Sequence, residues 1–323
     1  MSTERGGALL AVLWLTAGLS AIAFAVASTV KNETQRAANA VEESRAYFLA
    51  AGAIERAMLY MRWGPQHVLP DGSPRYYAPG MPRLSFRFPT GDAEVEVIPE
   101  TARMNVNVAP RQELTLLLLA LGAAPAQADL IAAAIEDWRT PAPGGFSPFD
   151  AFYLARNPSF RARHASLEET EELLVVQGMT PELFYGTYTR DANGRLVPTG
   201  GLRDCVSVYG NNAQFDVNWA HPAVLQAAGV PPAVVAALVA RRMQAPVVPD
   251  ELPLWIQAAG PAGARLRLGG GSIYTLRASA RQRLPGGGLS DLRRSVAAQV
   301  KLMPPGYDKP MHVLRWYDNA WRP

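Results

Sequence analysis

From Gly6 to Val30 the chain runs without a charged residue: GGALLAVLWLTAGLSAIAFAVASTV. A helix crosses a bilayer with about 20 apolar residues, so this run is long enough to span one. Polar residues then interleave. Between Lys31 and Trp63 apolar side chains recur at Ala37, Val41, Phe48, Ala51, Ile54, Met58 and Met61. The steps are mostly three, four and seven, the pattern of a helix with one apolar face. Proline is absent until Pro65, and Gly64-Pro65 is a helix stop. The two segments therefore predict one continuous helix, a rod on the order of 85 Å at roughly 1.5 Å per residue.

The period then changes to two. Leu84-Ser-Phe86-Arg-Phe88 alternates, as does Ala93-Glu-Val95-Glu-Val97, and Thr90-Gly91-Asp92 between them has turn chemistry. This predicts a hairpin after a Pro/Gly-rich loop over 65–82. From Met104 onward the pattern is helical. Arg111–Leu121 is leucine-rich and closed by Gly122, and Ala126–Trp138 follows. Glu168–Val176 is entered from Ser166 with Glu169 three residues on, a capping-box pattern. A short helix is expected from Thr180 to Phe184. The region contains an internal repeat: Phe215-Asp-Val-Asn-Trp-Ala220 matches Met104-Asn-Val-Asn-Val-Ala109. Each copy is followed by a leucine-containing helix, a glycine (Gly122, Gly229) and an alanine-rich helix, Ala126–Trp138 or Pro232–Arg242.

Alternation returns in Ser272–Arg283 and Leu292–Met303, joined by the turn Leu284-Pro-Gly-Gly-Gly-Leu289. Met311–Tyr317 adds a short strand, and Trp316 and Trp321 offer apolar area near the end. The order is rod, strands, helices, strands. The predicted class is α+β: a long N-terminal transmembrane helix and an antiparallel sheet interrupted by a large all-helical insertion. Its segments are 7–30 (transmembrane), 31–103 (helix and first strands), 104–268 (insertion) and 269–323 (closing strands).

Composition adds bounds. With 323 residues, 49% of them apolar and 18% charged, the chain can build a substantial core. A formal charge of +3 is too slight to argue for nucleic acid by itself. The single cysteine, Cys205, excludes an internal disulfide and any cysteine-based metal site. The N-terminus admits three readings. The first is a secretory signal cut after Ala27, in Ala25-Val-Ala27, although the apolar run exceeds the usual signal core. The second is a plain membrane anchor, and the third a short leader, Met1–Gly6, removed ahead of a retained helix. Arg5 on one side and Lys31 and Arg36 on the other leave orientation open.

No catalytic constellation emerges. His67, His164, His221 and His312 are dispersed without metal-ligand spacing, as exposed or capping histidines would be. Neither a nucleophile elbow nor a P-loop is present. Leu268-Gly-Gly-Gly-Ser272 precedes a strand rather than a helix, the wrong order for a phosphate cradle, and is expected to be a hinge. Cys205 is expected to be structural. Glu136-Asp137 are expected at a solvated helix terminus, and Glu168, Glu169, Glu171 and Glu172 at a helix start, where the dipole favours acids. Ala228-Gly-Val-Pro231 with Arg241-Arg242 has a helix-hairpin-helix look, a motif whose hairpin amides hold phosphate. Proline lacks that amide, and Gly122-Ala-Ala-Pro125 is no better.

Taken together, Arg5-Gly6 followed by Gly7-Ala-Leu-Leu-Ala-Val-Leu-Trp14, Met104–Ala109, Ile135-Glu-Asp-Trp138, Ser166–Leu173 and Val176–Thr180 with Phe184 resemble the K-type minor pseudopilin of the bacterial type II secretion system. The resemblance implies a pilin-like sheet and an insertion of SAM-like or helix-hairpin-helix-like units. It also implies a non-enzymatic role: capping the pseudopilus tip and starting its assembly for export of folded proteins. Prepilin peptidase would cut leader 1–6 between Gly6 and Gly7 and the new N-terminus would be methylated. Most pilins carry glutamate at the fifth mature position. The K-type lacks it, and Ala11 stands there. Implied partners are the I- and J-type minor pseudopilins, the peptidase and the inner-membrane assembly platform. Implied location is the Gram-negative inner membrane, single-pass, with a cytoplasmic N-terminus and periplasmic head. No cofactor is required. Calcium in the head is known in the family, but no ligands are assigned here, since Arg139-Thr-Pro141 stands where the family often has more acids. No nucleic acid is expected; the alternative is a membrane-anchored, competence-like DNA-binding protein.

Overall fold

The computed structural model describes Glu4 to Ala320 apart from positions 192 and 305. Met1–Thr3 of the expected leader, and Trp321, lie outside the described residues. One helix, α1, runs from Glu4 to Trp63. It begins three residues ahead of the expected leader boundary, so Gly6-Gly7 lies within it rather than in front of it. Its apolar stretch is unpartnered: Trp14 is 74% exposed and Phe24 77%. It is the one described helix long and apolar enough to cross a membrane.

The lower half of α1 seats on a sheet. Its buried stripe is Ala46, Ala50, Ala53, Ile54, Ala57, Met58 and Met61. This corrects the expected face. Ile54, Met58 and Met61 face inward as expected, but Phe48 is 68% exposed and Val41 50%. The reason is steric. Four alanines let the helix backbone lie close to the sheet, whereas Val41 and Phe48 fall on the opposite side.

The sheet has five strands: β1 Arg83–Phe88, β2 Gly91–Pro99, β3 Ile273–Arg283, β4 Leu289–Leu302 and β5 Met311–Tyr317. Their spatial order is β1-β2-β3-β4-β5, all antiparallel, a simple meander. Alternation makes one face apolar, with Leu84, Phe86, Val95, Val97, Leu276, Ala278, Val296 and Ala298 buried against α1. The other face is polar, with Arg277 on Glu96 and Arg283 on Asp92. The hairpins and strand expected from alternation are all present.

Between β2 and β3 the chain leaves to build a second body with its own core, from Met104 to Leu266. It carries α2 Arg111–Ala120, α3 Pro125–Arg139, α4 Pro222–Ala227 and α5 Pro232–Gln244 among shorter helices. It also holds three two-stranded pairs that alternation could not announce. Met104–Asn105 runs parallel to Val206–Ser207, Phe215–Asp216 runs parallel to Leu266–Arg267, and Tyr188–Arg190 pairs antiparallel with Leu196–Pro198. The expected helix at Glu168–Val176 is a tighter 3-10 turn over Thr170–Val175. Its cap is Glu169 reciprocated by Glu172, not Ser166 with Glu169.

Candidate functional site: the anchor helix and the duplicated lobe

The repeat legible in the sequence recurs in the structure as a shared set of hydrogen bonds. In the first unit Asn105 Oδ1 accepts the Asn107 amide at 2.8 Å, and in the second Asp216 Oδ1 accepts the Asn218 amide at 3.0 Å. Each closes an Asx turn that directs the chain from strand into helix. The second asparagine of each unit then clamps a distant backbone at two points. Asn107 accepts from Leu167 N and donates to Leu167 O, and Asn218 does the same with Val247. After α2 and α4, Gly122 and Gly229 adopt φ of 91° and 90°, the left-handed conformation that ends a helix. At the far end of α3, Arg139 donates to the carbonyls of Val106 and Ala109. At the equivalent place in α5, Arg242 donates to those of Val217 and Ala220. Burial lowers the pKa of both guanidiniums. Sequence reasoning took Arg242 for part of a helix-hairpin-helix look and Arg139 only for a residue standing where acids are often found. The available signal was that each closes the second helix of its repeat.

In the hairpins of the two units the amides that follow the first helix are bonded back onto it. Gly122 N and Ala123 N donate to Leu119 O and Leu118 O, and Gly229 N and Val230 N to Gln226 O and Leu225 O. These are the bonds of a closed helix C-terminus.

The lobe is fastened to the sheet where the chain crosses in both directions. On the way out, the buried Glu100 carboxylate accepts from Ser207, from Thr275 on β3 at 3.0 Å and from Gln299 on β4 at 3.0 Å. On the way back, Gly269 N donates to Asp216 Oδ2 at 2.6 Å, and Thr101 Oγ1 donates to Gly269 O at 3.0 Å. The glycine run expected to act as a hinge is therefore held from both sides. Burial pushes the Asp216 carboxyl up to about 6, against the pull of three backbone amides. A third tie runs from Arg315 on β5 to Glu169 at 2.8 Å, so the acidic run around Glu168 helps join lobe to sheet.

The dispersed histidines stay dispersed. His67 is close to Trp63 O, His221 caps α4 by accepting from Ala223 N at 3.2 Å, and His312 is exposed on β5. His164 does more than the sequence suggested, standing 3.3 Å from both oxygens of the fully buried Asp150. Ser147 N and Ala162 N also donate to Asp150, and Ser147 Oγ donates to Asp137. Among the described residues no three acids, histidines or cysteines converge as a cation site would require. The Asp150 oxygens accept from Ser147 N and Ala162 N and face His164, and one Asp137 oxygen accepts from Ser147 Oγ, a set used within the protein and a poor fit for a calcium ion. Cys205 is fully buried and burial drives its thiol well above the usual range, fitting a structural role. On α1, Ala11 is exposed in the apolar band.

Comparison with known proteins bears on this geometry. Residues 95–186 match the family described as type II secretion system (T2SS), protein K. A type II secretion system protein K of Klebsiella pneumoniae is 26% identical over 200 residues, 56% of this chain and 60% of the relative. The match thus spans about three-fifths of that curated relative's length. The crystal structure of the GspK-GspI-GspJ complex from the enterotoxigenic Escherichia coli type 2 secretion system contains a chain of the same fold. Its TM-score is 0.54 at 18% identity, covering 88% of this chain and 100% of that one. An apolar anchor helix, a meander sheet and a lobe inserted between β2 and β3 agree with these likenesses: over residues 95–186 the chain is similar to the type II secretion system protein K family, and it shares its fold with a chain of the GspK-GspI-GspJ complex.

Proposed function

We propose that this chain is the tip subunit of a type II secretion pseudopilus, where it caps the fibre and helps start its assembly for export of folded proteins. The observation that carries this reading is the placement of the lobe. It is inserted into the sheet and bonded to it at both crossings through Glu100 and Gly269. A subunit carrying a second body so fixed cannot accept another subunit stacked above it. Ala11 fits the same place: a subunit with no neighbour above needs no carboxylate to meet that neighbour's terminal amine. The apolar span 7–30 would lie in the inner membrane, its N-terminus cytoplasmic and its head periplasmic. Processing would fall between Gly6 and Gly7, with the helix start unwinding in the peptidase. The protein acts as a structural part, without catalysis and without a required metal or nucleic acid.

The relative in the solved complex is crystallised with GspI and GspJ, so I- and J-type pseudopilins are the expected partners here, together with the assembly platform. Co-expression of the full chain with its full-length I- and J-type counterparts, followed by affinity purification in mild detergent, should recover all three. Recovery of this chain alone, with each counterpart folded and present in the membrane, would count decisively against tip assembly. Separately, Gly6→Val should leave the precursor unprocessed in cells containing the peptidase.

A further inference from the structure

A cleft of about 1520 Å³ lies between the lobe and the sheet. One wall is the Pro74–Arg83 segment leading into β1, and the other is Tyr185–Tyr188 with the loop after α5. Small-molecule pockets occupy roughly 300–1,000 Å³, so this space suits a length of polypeptide. It is far from lipid. The wall segment packs at the end of α1, with Tyr76 and Trp63 rings 5.5 Å apart. That point is on the order of 50 Å along the helix beyond Val30.

The wall is rich in arginine and poor in acid, with Asp204 its single carboxylate among the described residues. Four of the arginines are committed elsewhere: Arg83 and Arg277 to Glu94 and Glu96, Arg241 to Glu251, and Arg242 to backbone carbonyls. Two are not saturated. Arg103 reaches Glu100 at 3.5 Å through one nitrogen, and that carboxylate already takes bonds from Ser207, Thr275 and Gln299. Arg203 comes no nearer to Asp204 than 3.9 Å and lies over the Tyr185 ring at 5.3 Å. A guanidinium has five N–H donors in a fixed fork suited to carboxylates, and most of these remain open to the cleft. Apolar side chains stand beside them, Tyr188 at 61% exposure and Met243 at 81%.

We propose that this cleft takes an extended acidic segment of another protein. Its carboxylates meet Arg103 and Arg203, and its apolar side chains lie against Tyr185, Tyr188 and Met243. The inference rests on the cleft alone and holds whether or not the chain sits at a fibre tip.

The test is fluorescence anisotropy with the full chain in detergent micelles at low salt. The probes are two fluorescein-labelled decapeptides, one with glutamate at every second position among leucine and serine, the other with glutamine in place of glutamate. The glutamate peptide should bind saturably and about tenfold or more tighter than its glutamine counterpart. Arg203→Gln and Arg103→Gln should each weaken it by about fivefold or more, and Tyr188→Ala should weaken both peptides. Arg293→Gln, on an exposed part of β4 away from the cleft, should change nothing. Arg203 contacts only a neighbour and a ring, so its variant carries the test if Arg103→Gln melts early. Equal binding of the two peptides, no saturable binding, or unchanged affinity in a normally melting Arg203→Gln variant would each overturn the proposal.

Discussion

Arg139 is the residue on which the first unit of the lobe should depend most. Its guanidinium bonds the carbonyls of Val106 and Ala109, two residues with no exposed surface. Arg139→Met keeps the aliphatic stem and removes both bonds. Hydrogen bonds from a charged donor contribute about 1.5–3 kcal/mol each, so their joint loss is about 3–6 kcal/mol. The wild-type guanidinium is itself partly desolvated, and removing that cost returns a share of the loss. The net expectation is about 3 kcal/mol, or roughly 150-fold in an opening equilibrium. Cys205 supplies the assay, because it is the single thiol and lies buried in the lobe core. Labelling by a chromogenic disulfide under native conditions reads how often that core opens, provided closing outpaces reaction. Arg139→Met should label about two orders of magnitude faster than wild type. Arg242→Met, whose bonds at 3.2 and 2.7 Å both come from one nitrogen, should cost less. An Arg139→Met rate within about threefold of wild type would refute the clamp reasoning.

Three further outcomes are expected. Burial pushes His164 down, but its hydrogen bond to Asp150 and the nearby carbonyl of Asp137 more than offset this, so its pKa is raised. Its stabilisation should be full below about pH 6.5 and fade as pH rises through the higher folded value; His164→Gln should lose that dependence, read as local hydrogen exchange in 147–164. Asp216 has a raised carboxyl near 6, so its contribution is full below about pH 3.8 and falls by about 3 kcal/mol as pH rises through 6. An Asp216→Asn variant should lack that slope in thermal melts and expose the Gly269 amide to faster exchange. Finally, excess chelator should leave the melting temperature of the full chain unchanged, since the donors around Asp150 are bonded within the protein; a drop of several degrees would contradict this.

Much of the fold was legible because it rests on repeated local signals. The uncharged run to Val30 announces the anchor, and two-residue alternation announces the first four strands of the sheet. The face of α1 was less legible. Helical spacing put Phe48 on the apolar face, whereas the sheet selected Ala46, Ala50, Ala53 and Ala57 because close approach of backbone to sheet needs small side chains. Strands of two residues, such as Met104–Asn105, carry no period and could not be read. The repeated Asn and Gly positions were visible, but their meaning required knowing what Asn107 and Asn218 face, which lies 60 and 29 residues away. The cleft was invisible for the same reason: its walls come from several distant stretches of chain.

One difference between the two units carries more information than their likeness. The first has Asn105 where the second has Asp216, and both side chains are buried. Asn105 must satisfy opposite demands: its oxygen accepts the Asn107 amide while its Nδ2 donates to Gly210 O at 2.8 Å. Asp216 faces donors on both sides, the amides of Asn218 and Trp219 at one oxygen and Gly269 at the other. An amide side chain could not serve there, because its nitrogen would oppose Gly269 N. The substitution thus follows from where each unit lies along the chain. The first ends inside the lobe, whereas the second must hand the chain back to β3. Gly269 is also where Thr101, on the outgoing passage, donates. The two crossings are therefore bonded to each other, and the ends of the insertion meet as neighbours. That geometry lets a large lobe interrupt the sheet without opening the meander, since joining adjacent strands by a folded body whose ends touch leaves their register untouched.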